Sequence, residues 1–310
     1  MANYRLTRGE KVFQAANYLF LALFGIFTLY PFWYVLQGSF TDPAFNLQFL
    51  WPRGKLYYAN YHQVFSSTGI GKAYLVSIAR VAVAVPLTIL ITGSAAFALT
   101  RREMLGRKVI ILLFFITMFF NGGLIPLYLV LRGLGLLDNF LVYVLPVMFN
   151  VWMMIVMKTS FHQLPEGLIE AAVIDGASYL HIFMRVILPL SLPMVATLSL
   201  FNAVWHWNDW FFGAFYVIEP NLRPLQTFLR EAVLEGGMAQ RLAARFYQGG
   251  GVSRGTEFGY SDSVMRQLGR ITPESLKLAF IVVTTVPIIL VYPFIQKYFM
   301  KGVLIGSLKE

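Results

Sequence analysis

The side chains able to do chemistry in this 310-residue chain are few and scattered. Its four histidines, His62, His162, His181 and His206, lie far apart, and none has a second His or Cys at metal-ligand spacing. There is no cysteine, so there is no thiolate nucleophile and no disulfide, and redox usage leaves the compartment unread. Neither a GxxxxGK phosphate cradle nor a GxSxG nucleophile elbow occurs. The glycines of FNGGLIPL sit in apolar sequence, where close packing or a kink is their expected role. One stretch does gather acids and small residues at a useful spacing: LPEGLIEAAVIDGASYLHIFMRVILPLSLP, residues 164–193.

That stretch is suited to recognition and not to bond breaking. Pro165 and Glu166 belong in a first helical turn; Leu168, Ile169, Ala172 and Val173 then make one apolar face, and Glu166 and Glu170 stand i,i+4 on another. Gly176 can end the helix with positive φ, and Ser178 can cap a second short helix. A helix–Gly–helix elbow with an acidic edge fits a groove in another protein. Lying flat in lipid headgroups is disfavoured, because acids are repelled by an anionic leaflet and the elbow carries little basic charge.

The elements around the elbow are made for lipid. Hydrophobic residues form 57% of the chain, charged residues only 13%, and the mean hydropathy is +0.63, more apolar surface than one soluble core buries. Six candidate spans, 12–38, 73–99, 109–131, 139–158, 186–218 and 273–296, can each supply the ~20 helical residues that cross a ~30 Å hydrocarbon core. Only helices are expected to cross, since no barrel-like alternation is visible. The first apolar run has no small-residue cleavage site and reads as a span, not a removable signal. The net charge of +10 lies between spans, as a topology signal and not a nucleic-acid face. Arg80, inside the second span, must face protein, water or a headgroup: pairing, snorkelling and a pathway role are all open. The fifth span holds His206 and Asp209, so its last part leaves the lipid or faces a cavity.

Orientation follows from the short flanks. Arg5, Arg8 and Lys11, the turn bearing Arg101, Arg102, Arg107 and Lys108, and finally Lys297, Lys301 and Lys309 read as cytoplasmic. Six spans put both termini inside, with the elbow, 161–185, also inside and the loops 39–72 and 219–272 outside. The second outer loop opens with an amphipathic helix, breaks at Gly249, Gly250 and Gly251 and ends at Thr272-Pro273, an N-cap followed by Pro in the first turn. Both outer loops are either surfaces for an external partner or packed connections. The aromatic run VWHWNDWFFGAFY either stacks sugar rings or forms an interfacial belt.

Glu170-Ala171-Ala172, then Gly176, then Val186-Ile187-Leu188-Pro189 resembles the EAA motif of ABC-importer permeases, with Val where isoleucine is more usual. The fuller EAAxxDGAS form, the turn RREMLGRK, NGGLIPLYLVLRGLGLLDN, WHWNDWF and the closing VYPFIQKYFMKGVLIGSLKE are similar to the carbohydrate-uptake branch, in its polysaccharide, aldouronate and lipoprotein-linked subgroup. The resemblance covers nearly the whole chain. It implies an all-α, type I ABC-importer permease fold of six transmembrane helices over 1–310, in the bacterial inner membrane, and no enzyme activity in this chain. It also implies partners: a second homologous permease in a heterodimer, two copies of a cytoplasmic ATPase that bind ATP and Mg, and an external solute-binding protein. This chain itself then needs no cofactor.

By position, the resemblance makes Glu170 the ionic contact to the ATPase, with Glu166 beside it on the acidic edge. Ala171 and Ala172 allow close approach, Gly176 permits the bend, and Asp175 is a helix-end or interface group. Asn121, Asn150, Trp152, Asn202 and Trp205 are polar or aromatic groups inside spans and are the candidate lining of a substrate path, with helix packing as the other reading. The expected cargo is an oligo- or polysaccharide. Seven arginines against four acids between Asn221 and Thr272 would suit a uronate, or an acidic surface on the binding protein. A permease for another solute and an ion-driven carrier are the competing classes; the carrier should show coupling acids within its spans, where Arg80 and Asp209 are nearly the only charges.

Overall fold

The computed structural model describes residues 7–40, 56, 58–66, 69–234 and 274–290, and helix is the regular structure throughout them. They fall into two compact units, one holding residues up to Ser67 together with 231–285, the other Thr68–Arg230 and the residues from Val286 on.

In the first unit, α1 (Arg8–Ser39) opens with a capping box: Glu10 N donates to Thr7 Oγ1 at 3.3 Å and Thr7 N to Glu10 Oε2 at 2.7 Å. Its 32 residues span ~48 Å, and nearly all of its side chains face outward, as befits a helix solvated by lipid. Only its last residues, Gln37, Gly38 and Ser39, are buried. They are tied to α2 (Ala59–Ser66), where Ser39 Oγ meets the Tyr61 hydroxyl at 2.6 Å and Asn60 Nδ2 donates to Ser39 O at 3.0 Å. Ser275, in the helical residues 274–290, donates to Asn60 Oδ1 at 3.2 Å. Buried polar groups are thus used where the chain turns, and all three are satisfied.

The second unit is organised around α3 (Ile70–Ala98), followed by α4 (Arg107–Phe119), α5 (Leu124–Gly133), two 3-10 turns at Phe140–Tyr143 and Leu145–Val147, and α6 (Val151–His162). Then come α7 (Glu166–Ile174), α8 (Tyr179–Ile182), a π turn at Phe183–Ile187, α9 (Leu188–Leu190), α10 (Leu192–Asn208), α11 (Phe211–Phe215) and α12 (Leu225–Leu234). One face of α3 carries Ser77, Arg80, Ala84, Thr88, Thr92 and Ala96, all buried. Small and hydroxyl side chains at helical spacing let neighbours approach closely, which is how helices associate where lipid removes the hydrophobic driving force. Met153, Met154 and Met157 of α6 and Ile182, Phe183, Ile187 and Leu198 from the α8–α10 region fill the core against Ile89, Ala96 and Phe97. A further cluster joins Ala84 to Leu131, Val142, Tyr143, Phe212 and Tyr216.

The first two expected spans are single long helices, and the described part of the sixth, residues 274–290, is helical. The three between differ from straight rods: α4 and α5 meet at 115°, the 3-10 turns and α6 at 50°, and the α8–α9 and α10–α11 stretches at 88°. The breaks fall where helix chemistry fails. Gly123 adopts φ +85° after Asn121-Gly122, Pro146 removes an amide in the second case, and Pro189 and Pro193 flank Ser191 in the third.

Candidate functional site

The elbow is fixed by backbone hydrogen bonds. Gly176 has φ +78°, its N–H reaches Val173 O at 3.0 Å, and the Ala177 N–H reaches Ala172 O at 3.0 Å. These are the two bonds of a Schellman closure, and Ala172 and Ala177, the residues on either side of it, both pack on the core. Ser178 then caps α8 by accepting from His181 N at 3.3 Å. The expected apolar face is narrower than its sequence pattern. Ile169 is buried and Ala172 half-buried, while Leu168, Val173 and Ile174 are exposed, Ile174 to 85%. Glu166, Glu170, Ala171 and Asp175 are exposed as well.

The two glutamates differ in their surroundings. Glu166 lies 3.7 Å from the Arg102 guanidinium, whereas Glu170 has no ion-pair partner among the described residues. Arg101 stands over the Tyr179 ring at 5.7 Å, and Arg107 Nε donates to Leu99 O at 2.8 Å at the end of α3. The basic turn expected only as a topology signal therefore also holds the elbow. Beneath it, Phe97 stacks on Phe183 at 5.9 Å.

Toward the other end of α3, the arginine of the second expected span pairs with the acid of the fifth. Arg80 is fully buried and donates three bonds: Nη2 to Asp209 Oδ2 at 2.6 Å, Nη1 to Asp209 O at 3.1 Å and Nε to His206 Nδ1 at 3.2 Å. Acceptance at Nδ1 leaves the imidazole proton on Nε2. Tyr143 lies 4.8 Å and Trp205 5.8 Å from the guanidinium carbon, so the planar cation is held between rings as well as by acceptors. The other carboxylate oxygen of Asp209 accepts from Phe211 N at 3.1 Å and starts α11. Of the readings open for Arg80, structural pairing is the one observed.

Residues 65–305 match the family described as the binding-protein-dependent transport system inner membrane component. The chain is 37% identical to Protein LplC of Bacillus subtilis over 98% of this chain and 97% of that one. It is 34% identical to the polygalacturonan/rhamnogalacturonan transport system permease protein YtcP of the same organism, over 97% and 99%. The crystal structure of a bacterial ABC transporter involved in the import of the acidic polysaccharide alginate contains a chain that superposes with a TM-score of 0.80 at 26% identity, covering 96% of this chain and 100% of that one. This chain belongs to that family of permeases. It is thus a multi-pass inner-membrane transport component and not an enzyme, and it works with a separate ATPase and a solute-binding protein.

Within the permease, the five residues expected along a substrate path are placed unequally. Asn121 and Asn150 sit at helix breaks and not inside straight spans: Asn121 Oδ1 accepts from Gly123 N at 2.9 Å, and Asn150 caps α6 by accepting from Met153 N at 2.9 Å. Asn202 is buried against Met153, with Nδ2 3.8 Å from its sulfur. Trp152 and Trp205 are about half exposed, and Trp152 packs on Phe201 at 6.4 Å. The start of α6 and the middle of α10 therefore bring Asn150, Trp152 and Asn202 into one neighbourhood, with Asn121 apart at the α4–α5 corner.

Of the seven arginines in 221–272, the described ones are already engaged. Arg223 donates to Ile218 O at 3.1 Å, and Arg230 lies over the Trp210 ring at 4.3 Å. The others, the glycine break and Thr272-Pro273 fall outside the described residues, as do most of loop 39–72 and the whole of the closing VYPFIQKYFMKGVLIGSLKE.

Proposed function

We propose that this permease imports an oligo- or polysaccharide that carries uronate units, as one half of a heterodimeric path driven by a cytoplasmic ATPase. The elbow is the coupling element and lies on the cytoplasmic side with both chain termini. Glu170 meets a basic group in the ATPase cleft, with Ala171 and exposed Leu168, Val173 and Ile174 entering the cleft beside it. ATP and Mg are bound by the ATPase subunits. Their closure moves the elbows and switches the path from inward-open to outward-open, where the binding protein releases its sugar.

The observation that carries this reading is the elbow itself: a short helix closed at its C-terminal end and anchored by Ile169 and Ala172, yet presenting an acid without an ion-pair partner among the described residues and uncovered apolar side chains. A rigid lever needs the first property, and a docking surface needs the second. An effector can bias a conformational equilibrium only by contacting its states differently, and the elbow offers the contact. Uronate cargo is supported by the names of the relatives, polygalacturonan and rhamnogalacturonan for one and the acidic polysaccharide alginate for another. An ion-driven carrier is disfavoured because, of the acids in the described parts of the expected spans, Asp209 is tied to Arg80 and Glu274 stands exposed in the first turn of residues 274–290.

The test is uptake into vesicles that hold the assembled importer, with ATP inside and labelled oligogalacturonate or neutral maltooligosaccharide outside. ATP-dependent uptake of the acidic sugar in preference to the neutral one is expected. Uptake of neither sugar, or uptake without ATP, would overturn the reading.

A further inference from the structure

We propose that Arg80 is a positioning residue of the transport cycle, fastening the α10–α11 corner and the segment that follows it to α3, so that this far end moves with α3. The inference rests on the coupling role assigned above to the elbow.

Two routes connect the elbow with residues 209–230. The covalent one runs through the π turn, the 88° bend at Ser191 between Pro189 and Pro193, α10, and the break after Asn208. The π turn, the bend and the break are places where helical hydrogen bonding changes register or stops, so a displacement entering at α8 can be absorbed before it reaches Asp209. The other route is α3, helical without interruption for 29 residues through Pro86. Phe97 and Arg80 lie roughly 25 Å apart along it.

Both ends of α3 are joined to what they face. At the elbow end are Phe97 on Phe183, Arg101 over Tyr179 and Arg102 beside Glu166. At the other end Ser77 Oγ accepts from Leu225 N at 2.9 Å, Lys72 Nζ donates to Asn221 Oδ1 at 2.8 Å, and Arg80 makes its three bonds to His206 and Asp209. Arg80 is the strongest of these joints. It binds a carboxylate and a backbone carbonyl of one residue at the corner, with the arginine itself fully buried. A guanidinium with its acceptors fixed in direction resists both sliding and rotation of the corner relative to α3, which an apolar contact would permit.

The experiment uses the assembled importer in vesicles carrying Arg80→Gln or Asp209→Asn. The expected result is parental membrane level, ATPase association and basal ATP hydrolysis, with hydrolysis stimulated by the binding protein and sugar uptake both reduced tenfold or more. Arg80→Lys, which keeps the charge without the three-way geometry, falls between. Parental stimulation in Arg80→Gln and Asp209→Asn overturns the proposal. If Arg80→Gln does not accumulate, the near-isosteric Asp209→Asn decides, and failure of both to accumulate assigns the pair to folding alone and also overturns it. Glu170→Lys run alongside separates the readings: if it retains ATPase association and uptake, the elbow assignment fails, whereas uncoupling by Glu170→Lys with parental Arg80 variants sinks only this inference.

Discussion

Gly93 of α3 lies so close to Phe183 that a β-carbon built on it would stand 3.1 Å from the ring's Cζ and 3.6 Å from the Met157 sulfur. The contact joins the middle of the unit to the first residue of the π turn, directly beyond the elbow's second helix.

Gly93→Val should therefore push the Phe183 ring out of its stack with Phe97. Overpacking of this kind costs about 1–3 kcal/mol, and sugar uptake should fall while the chain still inserts. Adding Phe183→Leu should restore part of the uptake by returning the lost volume. A double variant no better than Gly93→Val alone would show that the contact is not the cause.

The two elbow glutamates should respond differently. Glu170→Lys is expected to abolish ATPase association or to reduce ATP-driven uptake at least tenfold. Glu166→Gln breaks only an exposed pair with Arg102, and such pairs are worth about 0–1 kcal/mol. Its uptake should stay within a few-fold of the parent. Equal losses from both would contradict the assignment of the ionic contact to Glu170.

Gly176→Ala places a β-carbon in left-handed backbone, at a cost of roughly 1–2 kcal/mol. The Schellman closure loosens without any change of charge or side-chain contact, since nothing lies within 4 Å of that added carbon. Pull-down of the ATPase should weaken about fivefold or more, and Gly176→Asn should be milder because asparagine tolerates positive φ. The reverse order would mean that the loss has another origin.

Gly213→Ala would drive a methyl to 2.2 Å from Thr227 Oγ1 and 2.6 Å from Pro224 Cδ. The proline ring cannot swing aside, so residues 224–228 must lift from α11, at about 1–3 kcal/mol. A lower denaturation midpoint for the solubilised complex is expected, and an unchanged midpoint would refute the close approach.

Much of this was legible from residue types. The elbow's ends were readable because Gly176 and Ser178 have strong local preferences, and local preference survives in any fold. The apolar face of Leu168, Ile169, Ala172 and Val173 is divided in the structure, with only Ile169 buried and Ala172 half-buried. Leu168 and Val173 look like core residues by hydropathy, but only a partner could cover them, and one chain's sequence does not contain that partner. The bent spans were missed for a related reason: an apolar run satisfies a length criterion whether it is straight or broken, and Asn121 and Asn150 looked like polar groups within spans when Asn121 accepts from Gly123 N in the turn before α5 and Asn150 caps α6. The Arg80–Asp209 pair lay 129 residues apart, and the available signal was two solitary charges of opposite sign in lipid-facing sequence. Arg101 and Arg102 gave no sign of touching the elbow, since a basic turn beside a membrane already has a sufficient explanation.

The bond between α3 and the α10–α11 corner also limits how such a chain can drift over generations. Losing either charge alone leaves the other without its partner at a buried joint. Neighbouring lineages that have abandoned the arginine must therefore have abandoned the acid with it, or recruited another counter-ion. A chimera that takes residues 70–98 from one such relative and keeps 192–215 from this chain should accumulate but lose hydrolysis stimulated by the binding protein, however similar the two sequences are elsewhere.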